Sequence, residues 1–316
     1  MREHGRVSDR PPPHRIGLVL HPTRDVRSVS EQVVRWAREE GAEVVVAAGD
    51  AGRVADGVAE VAPDQLVSAC SALVSLGGDG TMLGALRASA GTGVPVLGVN
   101  LGRVGVLVEV EPAELPGALQ RVLEGRFSVE SRPALRVTGV DLDDGSPSAV
   151  AFNDVALSRC PGDGIASAAL SIDGQGYGVY RCDAVIVATP MGSTAYSYAA
   201  GGPVVSPTLS AMVVAPASPW SGISRPVVLA PEDRLALELL PDSGVLALEV
   251  DGRVMAPLEP GMRVEVVEER DAGHVVRLDR ARHDRRSRVK LSLLDLPLLP
   301  DELRELLPRE LGHTEA

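Results

Sequence analysis

The sequence predicts an α/β + β fold: an N-terminal parallel α/β domain followed by an all-β sandwich domain. Three observations carry this reading. Over the first 128 or so residues, short apolar runs alternate with stretches of helical spacing, the pattern of parallel strands covered by helices. After Phe127 the texture changes to short alternating runs with Asp-Gly turns starting at Asp144, Asp163, Asp173 and Asp251, the pattern of antiparallel sheets. The chain has 316 residues and 45% hydrophobic content, enough for two cores.

Residues 15–21 form an apolar run and read as a first strand. Ser28 and Glu31 have capping-box form, and Val29, Val33, Trp36 and Ala37 follow at helical spacing up to Gly41. Residues 43–47 read as a second strand, 65–70 fit no single assignment, 73–76 are the third clear strand and 94–99 the fourth. This alternation makes the first domain Rossmann-like, with ligands expected beyond the carboxyl ends of its strands. Pro112 opens a helix over 113–124. Further strands are predicted at 135–140, 150–158, 168–172, 185–188, 227–229, 235–240, 245–250 and 263–267. The expected organisation is a disordered tail (1–14), the α/β domain (15–128), the β-sandwich (129–278) and a C-terminal segment (279–316). In that last segment 291–311 has helical spacing, and it returns to the first domain or meets another subunit.

Composition narrows the function. A net charge of −12 argues against nucleic acid or an anionic membrane as the main partner. No run approaches the roughly 18 apolar residues of a membrane span. Residues 1–13 are polar and Pro-rich, unlike a secretory signal. Cys70, Cys160 and Cys182 are widely spaced and fit free thiols in a reducing cytoplasm. The six histidines form no ligand spacing with them, so no built-in metal site is expected. Lys290, in Arg-Val-Lys-Leu-Ser, is the sole lysine. That excludes a P-loop, which needs Gly-Lys-Ser/Thr, and a protein-kinase site, which needs a strand lysine. Phosphate charge would fall to Mg²⁺, backbone N–H groups and arginine.

The stretch that organises the chain is 73–86. An apolar strand runs into Gly77-Gly78-Asp79-Gly80-Thr81, and Met82, Leu83, Ala85 and Leu86 continue as a helix. Strand, glycine-rich turn and helix place free backbone N–H groups at a helix N-terminus, where anions bind. Asp79 repels bare phosphate, so it makes sense there if it binds a cation or takes a proton from an attacking hydroxyl. A second constellation runs over 183–197. A strand after Asp183 enters a loop of small and hydroxyl residues with one aromatic, Met191-Gly192-Ser193-Thr194-Ala195-Tyr196-Ser197, suited to a ribose or amide. Gly201-Gly202-Pro203 closes it. Asn153-Asp154 sits inside a strand-like run and either satisfies turn backbone or binds ligand hydroxyls. The loop at 100–107 either brings backbone close to a ligand or simply turns the chain.

Gly77-Gly78-Asp79-Gly80-Thr81 is the GGDGT signature, shared by NAD kinases and, in close variants, by diacylglycerol and sphingosine-type lipid kinases and 6-phosphofructokinases. From Ile16 to about Leu291 the chain resembles the NAD kinase family. The 100–107 loop, Asn153-Asp154, Ala188-Thr189-Pro190, the 192–197 run, Gly201-Gly202-Pro203, Arg225-Pro226 and Asp251-Gly252 all match. The other GGDGT families lack the Gly-Ser-Thr-Ala-Tyr-Ser loop. The resemblance implies a cytoplasmic homodimer or homotetramer that moves the γ-phosphoryl of ATP, with Mg²⁺, to the 2′-hydroxyl of the adenosine ribose of NAD. It places Asp79 at that hydroxyl as the catalytic residue. It gives Gly77, Gly78, Gly80 and Thr81 to the ATP phosphates. It gives Asn153, Asp154, Asp183, Met191, Ser193, Thr194, Ala195, Tyr196 and Asp251 to NAD.

The chain departs from the family on the acceptor side. Asp154 stands where Glu is usual, Met191 where Thr or Ser is, and Ala184 where Gly is. Val104-Gly105-Val106-Leu107 replaces Leu-Gly-Phe-Leu, Ala199 replaces Ser, and Pro219-Trp220 replaces a Pro-His step. A paralogue acting on a related dinucleotide or adenosine compound, and a non-catalytic dinucleotide sensor, are the alternatives.

Overall fold

The computed structural model describes residues 15–102 and 107–279. The expected tail at 1–14, residues 103–106 of the loop, Lys290 and the helical spacing at 291–311 lie outside the described residues.

In chain order the first domain contains β1 (Arg15–Leu20), α1 (Arg27–Glu40), β2 (Glu43–Ala47), β3 (Ala59–Val61), β4 (Ala72–Gly77), α2 (Asp79–Ala88), β5 (Val96–Asn100) and α3 (Leu115–Leu123). Its strands are parallel and ordered β3-β2-β1-β4-β5, the doubly wound order whose switch point lies between β1 and β4. Burial explains the layers. Ala72, Val74 and Leu76 of β4 point to a cluster with Trp36 of α1 and Leu119 of α3, while Leu73 points to one with Met82 and Leu86 of α2. Side chains alternate across a strand, so a fully apolar strand needs a helix on each face. Nε1 of Trp36 donates to Oε1 of Gln120 across the α1–α3 contact at 3.2 Å.

Two helix starts differ from expectation. α1 begins at Arg27, so Ser28 lies inside its first turn and no capping box forms there. Asp25 instead accepts the Arg27 N–H at 2.9 Å, and Ser30 bonds to Arg27 and receives the Ala55 N–H. A capping box does form between Glu111 and Glu114, on a 3₁₀ turn at Pro112–Glu114 that precedes α3. β3 was not foreseen: it is a short, largely exposed edge strand without apolar alternation.

The second half contains β6 (Ser128–Thr138), β7 (Ser148–Ala151), β8 (Asp154–Arg159), β9 (Ala166–Ile172), β10 (Gln175–Cys182), β11 (Ala184–Ala188), α4 (Tyr196–Ala199), β12 (Met212–Ala217), β13 (Ser221–Gly222), β14 (Val227–Leu229), β15 (Leu235–Leu239), β16 (Leu246–Val250), β17 (Arg253–Leu258) and β18 (Arg263–Arg277). Two sheets face each other. One runs β14-β12-β11-β8-β16-β17, and the other holds β13-β10-β9-β15-β18, with β6 beside β18 and β7 beside β6. Leu157, Val185 and Leu248 from the first meet Leu135, Leu170 and Leu237 from the second in one core, a β-sandwich. Asp173 and Asp251 have φ of 49° and 47°, each followed by a positive-φ glycine. Such Asp-Gly pairs make the two-residue turns that join β9 to β10 and β16 to β17.

Several strands differ from expectation: β10, β12, β13 and β17 lie outside the expected set, and β6 starts at Ser128 rather than at 135. The run at 150–158 is split at Phe152-Asn153, where the chain passes from one sheet to the other. The strand expected at 263–267 continues to Arg277 as β18. Its start pairs with β15, its length pairs with β6, and Val275 pairs with Val96 of β5. One 12-stranded sheet therefore runs from the parallel half into the sandwich.

Candidate active site

β4 ends at Gly77, Gly78 is the N-cap, and Asp79 is the first residue of α2. The turn thus lies at the carboxyl end of β4, beside the switch point. Gly77 is required by packing: a Cβ there would sit 2.0 Å from Oγ1 of Thr81. That hydroxyl is enclosed and has no hydrogen-bond partner among the described residues, so Thr81 can offer a phosphate its backbone N–H rather than its side chain. Space is open around Gly78 and Gly80. Oδ1 of Asp79 accepts the Leu107 N–H at 3.0 Å.

The loop after β5 is folded against this turn. Leu101 donates its N–H to the Gly77 carbonyl at 2.8 Å. Asn100 accepts the Gly102 N–H through Oδ1 at 3.0 Å and donates through Nδ2 to Glu111 at 2.9 Å. Across the switch point, the exposed Arg24 donates to the Leu101 carbonyl, and His21 Nδ1 accepts the N–H groups of Thr23 and Arg24. Sequence reasoning passed over Arg24. The available signal was a cation just past the first strand of a doubly wound sheet in a chain without a phosphate-binding lysine.

The second assembly is built on residues 152–154. The side chain of Asp251 is fully buried. Its oxygens accept the N–H groups of Asn153 at 2.7 Å, Phe152 at 3.2 Å and Asp154 at 3.3 Å. Nη1 of Arg87, on the last turn of α2, lies 2.6 Å from Oδ2. Asp251 thus organises the turn that presents Asn153 and Asp154, and its carboxylate faces backbone and arginine. The loop after β11 is welded to the same turn. Thr189 donates Oγ1–H to the Phe152 carbonyl at 2.7 Å and its N–H to the Asn153 carbonyl at 2.9 Å, and it accepts the Gly192 N–H at 3.0 Å. Gly192 leaves no room for a side chain, since a Cβ would lie 1.9 Å from the Asn153 carbonyl oxygen.

Asp154 is buried and charged neighbours crowd it. Burial first, then the charge of Asp251, push its carboxyl up to about 7; Glu249 adds to this, and the Tyr196 backbone N–H opposes it. Ser193 is spent internally: Oγ bonds to the Pro190 carbonyl at 2.6 Å and accepts the Val205 N–H at 2.9 Å. Thr194 Oγ1 donates to the Met191 carbonyl at 3.2 Å. Tyr196 is exposed, as is Ala199.

The two assemblies meet. Met82, Leu83 and Leu86 of α2 share one apolar cluster with Leu107 and Phe152, and Met191 packs against it. Asp183 is not brought to this meeting point. It precedes β11, whose opposite end, Ala188, pairs with Asp154. Five strand residues, about 16 Å, separate the two ends, and Asp183 pairs instead with Arg159 at 2.7 Å. Trp220 is 72% exposed on the sandwich edge. Among the described residues, no group of three or more His, Cys, Asp or Glu side chains could hold a metal ion, and no helix is long and apolar enough to cross a membrane.

Two family models match the chain. The ATP-NAD kinase N-terminal domain covers residues 16–127, and the ATP-NAD kinase C-terminal domain covers 152–278. A protein of Nocardia farcinica named NAD kinase is 39% identical over 78% of this chain and 74% of its own length. Among solved structures, yeast NADH kinase complexed with NADH superposes with a TM-score of 0.75 at 25% identity, covering 91% of this chain and 89% of that one. An NAD kinase from Archaeoglobus fulgidus in complex with ATP superposes with a TM-score of 0.66 at 25% identity, over 89% of this chain and 98% of that one.

Proposed function

The chain belongs to the ATP-NAD kinase family, and we propose that it transfers the γ-phosphoryl group of ATP to the 2′-hydroxyl of the adenosine ribose of NAD, giving NADP. The observation that carries this is the position of Asp79. It opens α2 at the switch point, and α2 packs directly against the Phe152 turn that carries the half-buried Asn153 and the buried Asp154.

In this reading the 2′-hydroxyl oxygen attacks the γ-phosphorus, the bond to the β-phosphate bridging oxygen breaks, and ADP leaves. Asp79 accepts the hydroxyl proton or holds the hydroxyl in line, and Leu107 fixes the carboxylate's orientation. The N–H groups of Gly78, Gly80 and Thr81 at the start of α2 receive the donor phosphates, with the helix dipole in support. Arg24 adds charge at the rim. Asn153, Asp154, Thr194, Ala195 and Tyr196 hold the acceptor. Met191 packs beneath them, and Ser193 and Asp251 shape the surface from behind. Asp183 joins the site at the far end of the dinucleotide or from a neighbouring copy.

One carboxylate beside an open phosphate turn fits Mg²⁺ that arrives with the nucleotide, because this ion binds through one or two carboxylates plus substrate phosphates. When bound it offsets charge on the transferring phosphoryl group.

We place the domain boundary near residue 128, with β18 shared between the halves. We also propose a homo-oligomer, on the exposed Tyr177, Trp220 and Val228 along the sandwich edge. A cytoplasmic setting accords with three free cysteines. Burial pushes the Cys70 thiol up to about 11 and that of Cys182 up to about 12, so both stay protonated.

The test is NADP formation by the purified chain from NAD and ATP. NADH is run beside NAD, because Asp154 and Met191 alter the acceptor surface. Nucleotide binding without product from any donor would favour a sensor.

A further inference from the structure

Arg87 lies eight residues after Asp79 on α2, about 12 Å along the helix axis. In the proposed reading the N-terminal end of that helix receives the donor phosphates. Its C-terminal end is pinned by Arg87 to Asp251, which belongs to the turn between β16 and β17 of the sandwich. Asp251 has no exposed side-chain surface and holds the backbone N–H groups of all three residues 152–154. Its own N–H donates to the Asp154 carbonyl at 2.9 Å.

The contact is demanding on both sides. A buried carboxylate shared among three amides is satisfied without a cation, yet Arg87 reaches it from another domain. Arg87 is itself 19% exposed, so its stem crosses the interface rather than lying on the surface. The ion pair fixes the position of the 152–154 turn relative to α2, and α2 carries Asp79.

We propose that Arg87 is a positioning residue for the acceptor. Through Asp251 it holds the Asn153-Asp154 turn at a set distance from the helix that carries Asp79, so that a dinucleotide bound on that turn has its ribose hydroxyl at the carboxylate. This rests on the reading of Asn153 and Asp154 as acceptor contacts. The donor phosphates meet the other end of α2, so they should not sense the pair.

The test is steady-state kinetics on the full chain for the wild type, Arg87→Met, Arg87→Gln and Arg87→Lys, varying NAD and ATP separately. Displacing a substrate by an ångström or so is worth up to about a hundredfold. Arg87→Met should raise KM for NAD by roughly tenfold or more and lower kcat, while KM for ATP stays within about twofold. Arg87→Lys, which keeps the cation, should restore most of the NAD term. If Arg87→Met does not fold, the same split is read on Arg87→Gln. A general loss of structure would move both KM values, or neither, with no rescue by lysine; either result overturns the proposal. A wild type that makes no NADP from any donor would remove the underlying reading of the turn. An active wild type with unchanged NAD kinetics in Arg87→Met would overturn this inference alone.

Discussion

The Leu107 peptide stands between Asp79 and Arg277: its N–H donates to Oδ1 of Asp79 at 3.0 Å, and its carbonyl accepts Nη1 of Arg277 at 3.1 Å. Arg277 is buried on β18 and bonds to Glu109 at 3.0 Å and Glu130 at 2.5 Å. Glu130 also pairs with the buried Arg132 at 2.9 Å. The orientation of the motif carboxylate thus depends on a charged cluster centred on Arg277 at the end of β18, with Glu130 and Arg132 from β6 and Glu109 from the segment after β5.

Asp79→Asn keeps the acceptor for Leu107 and removes charge and basicity. Its kcat should fall by roughly 10²–10⁴ if proton removal assists the transfer. It should fall near the low end of that range if Asp79 mainly aligns the hydroxyl, since phosphoryl transfer relies largely on positioning. NAD should still bind within about tenfold, or about 1.4 kcal/mol. Calorimetry and a coupled NADP assay on one preparation check both. Near wild-type kcat would remove Asp79 from the mechanism.

Arg277→Met leaves Glu109 and Glu130 without their shared cation. Breaking a buried pair on one side costs about 3–5 kcal/mol, so thermal unfolding should drop by roughly 10 °C. Adding Glu109→Gln to Arg277→Met should recover part of the loss, because one buried negative charge fewer is left beside the lost cation. A thermal melt of the three proteins decides; an unshifted midpoint for the single variant would show that the cluster carries no stability.

Turnover should stop in excess chelator and return with Mg²⁺. Lys290, the sole lysine, lies in Arg-Val-Lys-Leu-Ser rather than in a P-loop, so the developing phosphoryl charge needs a cation. NAD binding measured in the same chelator should persist, since the acceptor surface of Asn153 and Asp154 requires no ion. Full turnover without divalent metal would refute this.

Met191→Thr should change the preference between NAD and NADH more than KM for ATP. Met191 packs on the cluster that joins Leu107, Phe152 and α2, and it sits in the loop proposed to hold the acceptor. One such contact is worth roughly 1–3 kcal/mol of discrimination. Competition between the two dinucleotides reads it; a shift confined to ATP would mean that the two substrate surfaces are exchanged.

The parallel half was legible because its central strands are apolar on both faces, as 72–77 and 96–100 are. The strand at 263–267 was cut short because Glu268, Glu269, Arg270 and Asp271 interrupt the alternation. In the fold, the register shifts between Glu269 and Gly273, with Asp271 at φ 56°, and this bulge lets one strand serve both halves. The break at Phe152-Asn153 was hidden because the apolar runs 149–152 and 155–157 stand on either side of the Asn153-Asp154 pair, and a change of sheet leaves no periodic mark. Asp251 was visible as half of an Asp-Gly turn, and its positive φ follows from that pair. Its bonds to residues about a hundred positions earlier were not visible, because local pattern carries no information about such partners. Arg87 was invisible for the same reason: on α2 alone it reads as an ordinary cation in a last turn.

Asp154 should make stability fall as pH rises. Its folded pKa is raised from 3.8 to about 7, by burial and then by the charge of Asp251. Between these values the folded state holds a proton that the unfolded state has lost, so each unit of rising pH disfavours folding. The contribution is fully present below about pH 4, declines through the interval and is gone above about pH 7. Three units at 1.36 kcal/mol set an upper bound of about 4 kcal/mol, and sharing of the interaction with Asp251 makes about 2 kcal/mol the better expectation. Asn carries no charge at any pH and still offers an acceptor oxygen to the Tyr196 N–H, so it stands in for the protonated acid. Asp154→Asn should therefore match the wild type at pH 5 and exceed it by about 2 kcal/mol at pH 8. Urea unfolding at the two pH values measures the difference directly. An equal gap at both would show that the carboxyl titrates well below this range. The same substitution should flatten any inflection near pH 7 in KM for NAD, because the group that changes charge there would be gone.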